Sequence, residues 1–262
     1  MKVLAVIGSP RKTGNTYKAV ARIERLLAGR DNTIDFEYLF LVDYNLKTCT
    51  GCFNCIAKGE EKCPLIDDRD IIKGKMDEAD GIIFAAPSYA MGVPAIFKNL
   101  IDRFAYTLHR PCFFDKVFLA VMTIGGVMGG KRTLNQITTL AAGAKKVIKL
   151  GICAPPVALA GIEKSSAKSI KKASKVFYKS LLKKQRKLPG IGDWAYFHAF
   201  KSFCAFECYR KVCPADVDYY QSKKEYFFPI KGRPFRRAAG KIISVLTRFG
   251  LKIMVKERQR QN

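Results

Sequence analysis

Along the first two thirds of the chain, short unbroken apolar runs alternate with stretches whose apolar positions recur every three or four residues. Val3-Leu4-Ala5-Val6-Ile7 reads as a buried parallel strand, because a strand covered on both faces needs no polar alternation. The segment carrying Val20, Ile23, Leu26 and Leu27 reads as an amphipathic helix. The pattern then predicts a strand over 33–41 and a short helix to about Glu78, capped by Asp67-Asp68-Arg69-Asp70. A third strand is expected at Gly81-Ile82-Ile83-Phe84-Ala85-Ala86, then a helix through Ile96, Leu100, Ile101 and Phe104, and a fourth strand over 117–122. A further helix is expected over about 131–148, a fifth strand over 155–160 and a Lys-rich helix over 163–187.

Alternating strands and helices with all-apolar strands predict an α/β fold, a parallel sheet covered on both faces. Ligands of such sheets sit beyond the carboxyl ends of the strands, at the point where strand order reverses. Three unusual loops, 8–16, 87–94 and 123–130, fall at such ends. Past Leu188 the pattern changes. Residues 189–235 hold the only tryptophan, Trp194, with many Phe and Tyr and three cysteines, and 236–258 reads as a basic amphipathic helix.

The first of these loops is Gly8-Ser9-Pro10-Arg11-Lys12-Thr13-Gly14-Asn15-Thr16. It joins a strand end to a helix start, which aims backbone N–H groups and the positive end of the helix dipole at one point. Hydroxyl and amide side chains and two cations surround that point, a donor set suited to phosphate. Neither G-x-x-x-x-G-K-[ST] nor G-x-G-x-x-G is present. The loop by itself also fits an ordinary turn with a Ser/Thr/Asn cap.

Ser-Pro-Arg-x-x-Gly-Asn-Thr after the first strand resembles the FMN-phosphate loop of the flavodoxin-like NAD(P)H-dependent FMN reductases. Pro87-Ser88-Tyr89, followed by Met91-Gly92-Val93-Pro94 and a helix ending Asp102-Arg103, resembles the second FMN loop of that family, and Thr123-x-Gly125-Gly126 its third. The resemblance covers about residues 2–160. It implies a doubly wound five-stranded parallel sheet of order 2-1-3-4-5. It places the FMN phosphate on Ser9, Arg11, Thr13, Asn15 and Thr16. The isoalloxazine falls to Pro87, Ser88, Tyr89, Gly92, Thr123, Gly125 and Gly126.

A second motif is Cys49-Thr50-Gly51-Cys52-Phe53-Asn54-Cys55, with Cys63 after seven more residues. Three cysteines at C-x2-C-x2-C reach three corners of a cubane, and a fourth closes it. Four thiolates also suit tetrahedral zinc, although zinc pairs usually come as separated C-x-x-C hairpins. Packing or redox thiols are a third reading. The spacing, with Pro64 and Asp67-Asp68 behind it, resembles the iron–sulfur flavoprotein branch of the same family, which implies a 4Fe–4S cluster on Cys49, Cys52, Cys55 and Cys63. Cys204 and Cys208 are expected on one helix face, and with Cys213 they lack an evident fourth ligand, so a buried apolar role is expected. Cys112 and Cys153 are expected in the core. His109 and His198 are isolated, and no Ser/His/Asp or paired-carboxylate set stands out. A flavin enzyme needs none, because the cofactor carries the chemistry.

Composition sharpens this picture. With 262 residues, 48% of them hydrophobic, the chain can bury one sizeable core with an appendage. The longest uncharged run, Gly81 to Phe97, is shorter than the roughly 20 residues of a membrane-spanning helix, and the start of the chain is too short for a signal peptide, so a cytoplasmic protein is expected. The net charge is +25 and uneven. Residues 1–150 carry 22 Lys/Arg against 15 Asp/Glu, and residues 151–262 carry 25 against 7. Such a field favours polyanions, anionic lipid or acidic proteins. On the 236–258 helix, Ala239, Ile242, Ile243, Leu246, Phe249 and Ile253 share one face and Arg237, Lys241, Arg248, Lys252 and Lys256 the other. That face suits either an anionic membrane surface or docking on its own domain or a second subunit.

These readings converge on an FMN-dependent oxidoreductase. Residues 1–187 are expected to form the FMN-binding domain, with the cysteine-rich loop 49–63 inserted, and 188–262 a basic helical extension. Electrons are expected from NAD(P)H or a ferredoxin-like donor, and the resemblance implies a homo-oligomer. Rivals are a flavodoxin-type carrier, which in its usual acidic form does not match +25, and a cluster-free FMN reductase. Nucleic-acid binding ranks low because aromatic residues are not interleaved with the basic ones.

Overall fold

The computed structural model describes residues 1–126, 129–155, 159–186, 188–230, 240, 242–247 and 249–250. Its elements follow in the order β1 (Lys2–Ile7), α1 (Asn15–Ala28), β2 (Asp35–Phe40), α2 (Asn54–Ala57), α3 (Arg69–Glu78), β3 (Gly81–Pro87), α4 (Ala95–Arg103), α5 (Tyr106–His109), β4 (Val117–Ile124), α6 (Gly130–Ile137), β5 (Lys146–Cys153), α7 (Ala160–Leu181), α8 (Ile191–Phe203), α9 (Glu207–Val212) and α10 (Pro214–Gln221).

The five strands are all parallel, in the order β2-β1-β3-β4-β5. This is the flavodoxin-like order that the loop motifs imply. Every residue of β3 is buried, as are Val3–Ile7 of β1 and Val117–Thr123 of β4, which explains their uninterrupted apolar sequences. Val20, Ile23 and Leu27 of α1 and Ile170, Ala173 and Phe177 of α7 join one core cluster with β1, β3 and β4. Each fully buried aliphatic side chain there contributes about 1.5–3 kcal/mol of transfer free energy.

Three expected elements are corrected. The fifth strand is Lys146–Cys153, not 155–160, and the helix expected over 131–148 ends at Ile137, short of it. The strand lies at the sheet edge and is only partly buried, so Lys146 and Lys149 break its apolar run into a helix-like spacing. The following helix starts at Ala160, and its last turn is at Leu181, not Lys187.

The chain divides into two compact units, residues 1–50 with 65–187, and residues 51–64 with 188–262. In the second unit, α2 packs on α10, and α8 packs on α10 through an aromatic cluster in which Phe197 and Phe200 meet Tyr220 at 5.8 Å. No described helix is long and apolar enough to cross a membrane.

Candidate functional site

Strand order reverses between β1 and β3, so the loops that follow them diverge and leave a cleft. Ser9, Arg11, Asn15 and Thr16 line it from the first loop, Pro87, Ser88 and Tyr89 from the second, and Thr123 and Gly125 from the third. Nine of the twelve predicted cofactor-binding residues therefore meet in one place. Thr13, Gly92 and Gly126 do not line the cleft. Thr13 and Gly126 are exposed, and Gly92 closes the turn behind Tyr89. Gly14, Ile124 and Ala154 also line it and were missed. Ala154 follows β5, so placing that strand at Lys146–Cys153 would have revealed it.

Local geometry shows how each wall is held. Ser9 is buried, and its Oγ accepts the Arg11 N–H at 3.2 Å, folding the loop back before α1. The cap of α1 is Gly14, which offers no side-chain acceptor, so the first turn of the helix meets the cleft through its backbone. Gly8 is required by close approach: a Cβ there would lie 2.3 Å from Cδ2 of Phe97 on α4. Thr16 and Thr123 place their hydroxyls 2.8 Å apart, a buried tie between the first and third loops. Ser88 bonds the Thr133 hydroxyl at 2.8 Å, and its N–H donates to the Thr123 carbonyl at 2.8 Å.

Tyr89 and Gly92 exchange both backbone bonds at 2.9 Å, which makes 89–92 a tight turn. Its central residues, Ala90 and Met91, have φ of 47° and 60°, a left-handed conformation that non-glycine residues adopt at a cost. Met91 packs against Gly129, whose own φ is 80°. Gln136 of α6 accepts the Val93 N–H at 3.0 Å. The Tyr89 ring is 40% exposed. Among the described residues, Arg11 is the sole charged one in the lining.

This donor set fits a phosphate-bearing cofactor with a planar ring. Hydroxyls, one guanidinium and a helix N-terminus suit the phosphate, and the aromatic face of Tyr89 and the open backbone of Gly125 in the same lining suit the ring.

The sequence pattern of the NADPH-dependent FMN reductase family matches residues 1–152, more than half of the chain. The chain belongs to that family. Within the FMN reductases it falls in the iron–sulfur flavoprotein branch. An iron–sulfur flavoprotein of Methanocaldococcus jannaschii is 48% identical over 142 residues, spanning 53% of this chain and 68% of that protein. One of Methanosarcina thermophila is 30% identical over 139 residues, 52% of this chain and 71% of that protein. Among solved structures, an azoreductase from Bacillus anthracis superposes with a TM-score of 0.55 at 17% identity, over 68% of this chain and 99% of that one. An NAD(P)H:quinone oxidoreductase from Methanothermobacter marburgensis gives 0.51 at 15% identity, over 67% and 96%. At these identities the structural likeness is one of fold. The chain is thus an oxidoreductase of the FMN reductase family.

The cysteine motif spans both units: Cys49 closes the first stretch of one, and Cys52, Cys55 and Cys63 belong to the other. Cys52 is exposed and the other three are half-buried. Among the described residues no group of three Cys, His, Asp or Glu side chains stands together as a metal site. The backbone around Cys52 nevertheless suits an anionic cluster. Gly51 and Phe53 both have left-handed φ, 68° and 59°, and α2 begins directly after Phe53. A left-handed residue followed by a helical one turns successive N–H groups to one side, as in many iron–sulfur sites.

The two ends of this loop are firmly held. Asn99 of α4 accepts the Cys49 N–H at 3.0 Å and donates to the Leu46 and Lys47 carbonyls at 2.9 and 3.2 Å. Asp67 accepts the N–H groups of Lys47, at 2.9 Å, and Arg69, at 3.1 Å. Asp68 accepts the Asn45 N–H at 2.7 Å.

Of the remaining cysteines, Cys213 is buried as expected, and the others are not. α8 ends at Phe203 and α9 starts at Glu207, so Cys204 caps the end of one helix while Cys208 lies on the next, and the two do not share a face. Cys213 is buried and Cys208 exposed. Burial pushes the Cys204 thiol up to about 11, with Asp216 adding to it. Cys112 is exposed, because Pro111 and Phe113 on either side point inward, and Cys153 is half-buried at the sheet edge. His198 stacks on Trp194 at 5.6 Å.

Proposed function

We propose that this chain takes electrons from NAD(P)H, or singly from a ferredoxin-like donor, through FMN held in the switch-point cleft, with a 4Fe–4S cluster on Cys49, Cys52, Cys55 and Cys63. The observation that carries this reading is the meeting of the three motif loops at the carboxyl ends of β1, β3 and β4, with a phosphate-type donor set at the start of α1. Bound FMN supplies hydride acceptance and one-electron release in a single group.

The protein's own residues bind and orient. Ser9, Arg11, Asn15 and Thr16, with the first turn of α1, hold the phosphate, and Thr13 stays on the outer side of the same loop. Pro87, Ser88 and Tyr89, with Thr123 and Gly125, confine the ring, Gly92 closes the turn that carries Tyr89, and the Thr16–Thr123 tie keeps the two walls in register. Asn99, Asp67 and Asp68 fix where the cysteine loop leaves and rejoins the sheet unit. The names of the relatives support the cluster, and the paired left-handed residues around Cys52 support it independently. A homo-oligomer in which the cysteine loop approaches a neighbour's flavin completes the proposal.

Anaerobic purification with a visible spectrum and iron and sulfide analysis tests it. Flavin bands with a shoulder near 400 nm and about four irons per chain are expected. Asn15→Leu should strip the flavin while circular dichroism stays unchanged. Flavin without iron would reduce the protein to a simple flavin reductase. No flavin after FMN addition would overturn the reading.

A further inference from the structure

The C-terminal helical segment is turned the opposite way from an ordinary docked helix. Gly240, 242–247 and 249–250 are helical. Gly240 is buried, and a Cβ on it would lie 3.0 Å from Cε3 of Trp194. Ser244 lines the same recess as Trp194, and Ile243 and Thr247 are half-buried. These four positions span an arc of about 100° around the helix. On the opposite arc, also about 100° wide, stand Ile242, Val245, Leu246 and Phe249. Those four side chains are 62%, 66%, 65% and 66% exposed. The helix therefore seats Gly240, Ile243, Ser244 and Thr247 toward its own unit, meets the rim of that recess with Val245, and leaves Ile242, Leu246 and Phe249 largely exposed to solvent.

We propose that this stripe is a docking surface for an anionic lipid membrane. Helical residues at i, i+3, i+4 and i+7 that are apolar and uncovered form the insertion face of an interfacial helix. Charge decides the partner. Residues 231–262 carry ten Lys/Arg and a single acidic residue, Glu257. A second copy of the chain would bring two such stretches together and repel, whereas anionic headgroups attract each basic residue near the surface. The apolar stripe separates this partner from nucleic acid, which offers aromatic stacking and phosphate but no apolar phase. None of these residues lines the cofactor cleft.

The test is co-sedimentation of the full-length flavin-loaded protein with phosphatidylcholine vesicles, with and without about one third phosphatidylglycerol. Most of the protein should pellet with the anionic vesicles at low salt and none with the neutral ones. Binding should fall at least tenfold in about 0.5 M salt, where screening reaches only a few Å. The double variant Leu246→Ser, Phe249→Ser should also bind at least about tenfold less, because it removes apolar contact and leaves charge intact. Its flavin content and Trp194 emission should match the wild type, which shows that it is folded. No pelleting at low salt would overturn the proposal. So would unchanged binding by the double variant, the mark of a general polyanion site. A dimer that this variant converts to monomer would assign the stripe to a second copy instead.

Discussion

Arg103 and Asp67 form an ion pair at 2.8 Å in which the side chains are 1% and 0% exposed. Asp67 also accepts two backbone N–H groups, one on each side of the cysteine loop, and the Arg103 Nη1 reaches the Lys47 carbonyl at 3.5 Å. Arg103 ends α4, the helix that begins just past the Tyr89 turn. One rigid element thus links the Tyr89 side of the cleft to the base of the cysteine loop. Among the described residues, no hydrogen-bond partner meets the buried Nε of Arg103, so the guanidinium depends on Asp67 for compensation.

Breaking such a pair leaves a charge enclosed. Asp67→Asn is expected to lower stability by about 3–5 kcal/mol in urea unfolding. Replacing both partners, Asp67→Asn with Arg103→Met, should recover part of that loss, because no unpaired charge then remains.

Gly8 and Phe97 are in conflict with any larger residue at position 8. Gly8→Ala is expected to destabilise the protein by about 1–3 kcal/mol through overpacking, and to release flavin by displacing the first loop. Adding Phe97→Leu should restore part of both, read by thermal unfolding and by the flavin-to-protein absorbance ratio.

Acid should weaken a network at the start of the sheet. Glu37 pairs with Lys75 and, at 3.3 Å, with Lys2. The Lys75 ammonium, opposed by desolvation and helped by Lys2, holds the Glu37 carboxyl below its ordinary 4.5. A carboxyl depressed by folding stabilises fully above its unfolded value and loses that contribution as pH falls through the folded one. Glu37→Gln should therefore cost up to about 1 kcal/mol at pH 7 and progressively less as pH falls below the ordinary carboxylate range, with high salt shrinking the difference.

Thiol chemistry should separate Cys204 from Cys208. With its thiol pushed up to about 11, Cys204 is protonated at pH 8 and slow to alkylate, whereas Cys208 is exposed on α9. Brief iodoacetamide treatment followed by peptide mapping should find Cys208 labelled well before Cys204.

What the sequence disclosed follows burial. β1, β3 and β4 lie inside the sheet, so their apolar runs are unbroken and the loops after them could be found from pattern alone. β5 runs along an edge, where Lys146 and Lys149 are tolerated, and its mixed pattern was read as helix. The break between α8 and α9 has no Gly or Pro to announce it. The Thr16–Thr123 tie and the Asn99 bond to Cys49 join residues 107 and 50 positions apart, which local pattern does not register.

The packing of α2 on α10 has a consequence for biosynthesis. α2 ends at Ala57 and α10 begins at Pro214. About 160 residues must leave the ribosome between them, which takes roughly 8–30 s at ordinary translation rates. For that interval the Cys52 and Cys55 segment stands without its helical cover. Until α10 emerges, the cysteine-rich loop lacks the packing partner that its short helix has in the finished fold.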